Sequence, residues 1–104
     1  KVARMNAEIR PIGSAGERIT KIPEDVVEAL ARFEHERWIE ERTETGWVYG
    51  PEKDVEKKVS PYMLHYDDLT KEIKDLDRDT IRNIPEVLSL IRMAIYKKES
   101  GGAG

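Results

Sequence analysis

PEDVVEALARFEHERWIEERTETGWVYGP, residues 23–51, is the most legible stretch of the chain. Pro23 suits a first helical turn, and Glu24 and Asp25 complement the positive end of a helix dipole. Neither Gly nor Pro follows until Gly46, which stands where a residue just past a helix end is expected. The spacing predicts a helix from Pro23 to about Thr43, a rod of roughly 30 Å. Val26, Val27, Leu30, Ala31, Phe33 and Trp38 fill about 160° of its circumference. Glu34 falls inside that stripe, and Arg37 and Glu41 lie near its middle, where a plain core stripe would not put them. Beyond Gly46, Trp47 and Tyr49 are bracketed by Gly46 and Gly50, and in extended chain both point to one side.

Outward from this stretch the signals weaken. Residues 1–22 read as an N-terminal arm or linker, extended, packing Ile9, Ile12, Ile19 and Ile22 against the helices, with Pro11, Gly13 and Gly16 as punctuation. Residues 52–60 are charged and read as an exposed loop. Ser60-Pro61-Tyr62-Met63-Leu64 reads as a short cover for the core, and Asp67 or Asp68 as the cap of a helical turn near Leu69. From Asp79 onward, Ile81, Ile84, Val87, Leu88, Ile91, Ala94 and Ile95 hold one helical stripe. Pro85 removes a backbone bond within it, so a short helix over 79–84 followed by a second, or one kinked helix, is predicted. Leu90, Met93 and Tyr96 lie off that stripe and form a candidate interface. Residues 99–104 read as a flexible tail.

The 104 residues contain no Cys, and 18 Lys and Arg stand against 21 Asp and Glu, a net charge of -3. One small domain is expected, without disulfides or Cys-based metal sites. No basic excess exists to neutralise the phosphates of a nucleic acid. No apolar run is long enough to insert in a membrane. The start, Lys1-Val2-Ala3-Arg4, lacks the apolar stretch of a signal peptide, so a cytoplasmic location is expected. Lys1 in place of Met suggests a trimmed terminus or a segment of a larger parent chain.

Enzyme signatures are missing. His35-Glu36 begins like a zinc-protease helix, but Ile39 stands where the second His is needed. There is no G-x-S-x-G, no P-loop and no G-x-G-x-x-G, so no catalytic residue, metal ligand or cofactor is assigned. The informative cluster is Glu34, His35, Trp38 and Arg42 with Trp47 and Tyr49. Glu34 and Trp38, and Trp38 and Arg42, are neighbours at i,i+4. In a structural role, Trp38 lies beneath Trp47 and Tyr49, Glu34 accepts from an arginine or the backbone, and His35 donates to a carbonyl. In a ligand-binding role, the aromatic faces stack a flat ring, Glu34 accepts a hydroxyl or amine, and Arg42, Lys53 and Lys58 meet phosphate.

His35-Glu36-x-Trp38, Arg42 and Gly46-Trp47-x-Tyr49-Gly50 together resemble the ryanodine receptor repeat, or RyR domain. The resemblance continues through Lys53-Asp54, Lys58, Ser60-Pro61, Tyr66-Asp67-Asp68-Leu69 and Asp77-Arg78. Tyr62-Met63-Leu64 and Met93-Ala94-Ile95 depart from the usual pattern. The resemblance implies a domain over residues 23–98 with a mainly α fold. Two long packed helices would be joined by a long irregular loop with at most a short β-hairpin. Receptor repeats occur in pairs, so a single copy of prokaryotic or phage type is expected to form a homodimer. Receptor pairs are associated with adenine-nucleotide binding, which implies a non-enzymatic sensor of a nucleotide or nucleotide-derived metabolite, with Trp38 stacking the ring and a partner domain regulated. The alternative is a protein-interaction or homodimerisation module without a small-molecule ligand.

Overall fold

The computed structural model describes residues 3–98. Along the chain run β1 (Ala7–Pro11), β2 (Arg18–Ile19), α1 (Glu24–Glu44), β3 (Val48–Tyr49) and β4 (Val59–Ser60). A 3-10 turn (Tyr66–Asp68), α2 (Lys71–Arg82), α3 (Ile84–Ser89) and β5 (Met93–Lys97) complete it. The flexible-tail reading of residues 99–104 lies outside the described residues.

The helix at residues 23–43 forms as its sequence predicts. Gly46 takes a φ of 93° past its end, a conformation that costs other residues a Cβ clash. Lys58 Nζ donates to the Thr45 carbonyl at 2.8 Å, placing a cation on the negative end of the dipole. The stripe that faces the core is rotated from the one expected. Val26, Val27, Ala31 and His35 are buried, whereas Phe33 is 63% exposed. α2 begins earlier than expected, capped by Thr70, whose hydroxyl accepts from the Ile73 N–H at 3.3 Å. Pro85 sits in the first turn of the short α3, where its missing N–H is no loss.

The expectation of a mainly α fold is overturned. The architecture is mixed α/β, with a three-stranded antiparallel sheet ordered β1-β5-β2. Ala7 pairs with Lys97, Pro11 with Met93, and Arg18 with Tyr96. The N-terminal segment therefore supplies both outer strands, and the end of the expected last helix supplies the central one. Arg92, at a φ of 59°, ends the helical path after α3 and turns the chain into β5. Ala94, Ile95 and Tyr96 are all buried, as both faces of a central strand are covered. Instead of a hairpin, β3 and β4 form a short parallel ladder, Val48 with Val59 and Tyr49 with Ser60. Gly50 makes this possible, because a Cβ there would collide with the Val59 side chain.

α1 spans two apolar clusters. Its first half packs Val26 and Val27 with Ile22, Ile81 and Ile95 against the sheet. Its middle packs Ala31 with Tyr66 and Leu69 of the 3-10 turn, flanked by Leu64 and Ile73. Among the described residues, no helix is long and apolar enough to cross a membrane.

Candidate functional site

α1 and α2 lie side by side and are clamped by arginines of α2. Arg78 grips Glu28 with bonds of 2.7 and 3.2 Å, and Arg82 grips Glu24 with bonds of 2.6 and 3.2 Å. Further along α1 the clamps stop and the helices leave a cavity of about 210 Å³. Glu34, His35 and Trp38 line it from one turn of α1, and Ile73, Leu76 and Asp77 from one turn of α2. Tyr62, from the loop after β4, closes one side.

His35, 4% exposed, forms the polar wall. Its Nε2 donates to the Leu64 carbonyl at 2.7 Å; a carbonyl only accepts, so the proton is on Nε2. Nδ1 then faces Asp77 Oδ2 at 4.0 Å, beyond hydrogen-bond range. The imidazole stacks on Trp38 with centroids 5.7 Å apart and meets Tyr66 at 6.2 Å. Burial raises the Asp77 pKa, with the nearby His35 pulling the other way. Glu34 is the reverse case. Arg37 donates to both its oxygens, at 2.6 and 3.1 Å, and holds its pKa below the usual range.

Beside the cavity, the Arg42 guanidinium lies over Trp38 at 5.4 Å and over Trp47 at 5.0 Å. The turn after α1 brings Trp47 back through its N–H, which donates to the Arg42 carbonyl at 3.0 Å. Arg42 therefore fills the space between the two indoles.

Of the residues singled out from the sequence, Glu34, His35 and Trp38 meet at the cavity, and Arg42 and Trp47 form the stack next to it. Tyr49 is 53% exposed on β3, Lys53 is exposed in the following loop, and Lys58 binds the end of α1. None of these three lines the cavity. Leu90, Met93 and Tyr96 do not share a helical face. Leu90 is 81% exposed after α3, while Met93 and Tyr96 lie on β5. Tyr96 is buried, with its hydroxyl accepting from the Gly13 N–H at 3.1 Å and Arg10 over its ring.

Sequence reasoning missed Ile73, Leu76 and Asp77, because the last helical region was started at Asp79. The available signal was Thr70 as a cap, with Ile73, Leu76 and Asp77 at helical spacing behind it. Among the described residues, no group of three or more His, Asp or Glu is arranged to hold a metal ion. The family model described as RyR domain matches residues 10–97, a span that takes in every residue of the cavity.

Proposed function

This chain belongs to the RyR domain family, and on that premise we propose that it is a non-enzymatic sensor whose α1–α2 cavity binds a nucleotide or nucleotide-derived metabolite. The observation that carries this reading is the composition of the cavity wall. The Trp38 indole and the side chains of Ile73 and Leu76 offer flat and apolar surface, and Asp77 and His35 supply convergent polar atoms. Small-molecule sites combine apolar walls with a few placed polar groups in this way. At about 210 Å³ the cavity is smaller than the roughly 300–1,000 Å³ of drug-sized sites, so one ring system enters and the rest of the ligand stays outside.

The wall provides a route from binding to signalling. Tyr62 belongs to the loop that His35 holds through the Leu64 carbonyl. A ligand that contacts Tyr62 and the two helices together favours the closed arrangement of that loop and shifts the population toward it. A partner domain that reads the loop would sense occupancy.

The test is a thermal-shift panel of purine and pyrimidine nucleotides, NAD and cyclic nucleotides, followed by Trp fluorescence titration. A ligand at 100 times its dissociation constant adds about 2.7 kcal/mol of stability. Trp38→Ala is expected to abolish the shift while the circular dichroism spectrum stays folded, with Trp38→Phe as the milder variant. A flat panel for the unmodified protein overturns the reading.

A second reading, a module that pairs with another copy of the chain, draws on Val87, Leu90 and Ile91. These neighbours around the end of α3 are 53%, 81% and 69% exposed. Sedimentation of the protein and of Leu90→Glu decides it: a dimer that the substitution dissociates supports this reading, and a monomer in both cases removes it.

A further inference from the structure

Resting on the ligand reading above, we infer that the cavity selects a ring edge with two adjacent N–H donors, as guanine presents, over the donor-and-acceptor edge of adenine. The polar groups left open in the wall are acceptors. His35 Nε2 is committed to the Leu64 carbonyl, so in the neutral ring Nδ1 offers a lone pair to the cavity. The Asp77 carboxylate stands 4.0 Å from that nitrogen, and among the described residues its oxygens take no hydrogen bond. Glu34 is an acceptor as well, with Arg37 donating once to each of its oxygens, so it brings no donor to the wall. Tyr62, 40% exposed at the rim, carries a hydroxyl that serves either way.

Guanine fits this set. Its ring N–H and its exocyclic amine lie side by side, so Asp77 accepts from both and the second amine hydrogen is free for His35 Nδ1. The base face is left for Trp38. Adenine offers the same wall one amine and, beside it, a ring nitrogen lone pair. Turned toward Asp77, that lone pair faces a carboxylate oxygen and one charge-assisted bond is lost, together with the desolvation of both acceptors. An added donor in the right place separates ligands far more sharply than an added methylene does.

The experiment titrates the protein's Trp fluorescence with GMP, IMP, AMP and XMP at one ionic strength, and repeats the series on Asp77→Asn. GMP is expected to bind at least about tenfold more tightly than AMP, the worth of one charge-assisted bond. IMP, which keeps the ring N–H and lacks the amine, is expected between them. Asp77→Asn should reverse the order of GMP and XMP, since the asparagine amide donates to the second carbonyl of xanthine while its oxygen still accepts the ring N–H. A thermal melt of Asp77→Asn confirms that the variant is folded. Binding of AMP as tight as GMP, or a ratio unmoved by Asp77→Asn, overturns the guanine selection and leaves the sensor reading standing. Failure of all four nucleotides to bind at millimolar concentration also overturns the guanine selection, and the thermal-shift panel with pyrimidine nucleotides, NAD and cyclic nucleotides then decides the sensor reading.

Discussion

One turn after Ala31, where α1 would ordinarily bury an aliphatic side chain, the chain places His35. The ring is buried against Trp38 and Tyr66, and its Nε2–H satisfies the Leu64 carbonyl. His35→Phe keeps the ring and its stacking but strips that carbonyl of its partner. We expect a loss of about 2 kcal/mol, the desolvation cost of an unpaired buried acceptor, read as a lower urea midpoint with an unchanged slope. An equal midpoint would show that water replaces the imidazole. Asp77 has the opposite energetic sign. Burial raises its pKa in the folded state, so the ionised carboxylate opposes folding above its unfolded value and ceases to do so as pH falls. A polar residue held at such a position is a common cost of a functional site. The role of His35 was half legible, and that of Asp77 was missed. The sequence showed a His and a Trp at i,i+3 and suggested a backbone carbonyl for His35, but Leu64 lies 29 residues away and no local pattern names it.

At the level of the elements, α1 and α2 are held by apolar contact and by arginine clamps whose carboxylates respond to acid. Arg78 holds Glu28 below the usual carboxylate range, as Arg82 does Glu24 and Arg32 does Asp67. Depressed folded-state values mean that this stabilisation is complete above the unfolded carboxylate values, near pH 4, and is lost as pH falls through the folded ones. The melting temperature should therefore drop between pH 5 and 3. Arg78→Met should cost about 1 kcal/mol at pH 7, as partly exposed pairs do, and should make that drop shallower. An unchanged acid profile in Arg78→Met would assign the acid loss to other groups. The two α1–α2 clamps join residues 50 and 58 positions apart, which no local window shows, whereas the start of α2 had a local signal in the Thr70 cap that the sequence reading passed over. β5 was misread for a different reason. Ala94 and Ile95 continue the spacing of Ile84, Val87, Leu88 and Ile91, and a short apolar run satisfies the helical and the extended period alike. What decides between them is pairing with β1 and β2, invisible to any local window, and the left-handed turn at Arg92.

Across the whole molecule, residues 3–22 are structural. They supply both neighbours of β5 and the most buried isoleucine, Ile22, which packs with Val26, Val27, Ile81 and Ile95. A version of the protein beginning at Pro23 keeps α1, α2 and the cavity residues but leaves β5 with two bare edges. It should show no cooperative thermal transition and should associate through those edges; a sharp melt near that of the intact chain would show that the sheet is dispensable. The order β1-β5-β2 also has a consequence for the birth of the protein on the ribosome. β1 and β2 are made early, yet the strand that belongs between them emerges last, several seconds later at roughly 5–20 residues per second. Until Met93–Lys97 leave the exit tunnel the two early strands have no partner, and α1 has no sheet to cover. Closure of the sheet is therefore expected to wait for Met93–Lys97 to emerge, and the residues translated after Lys98 set the moment at which it happens.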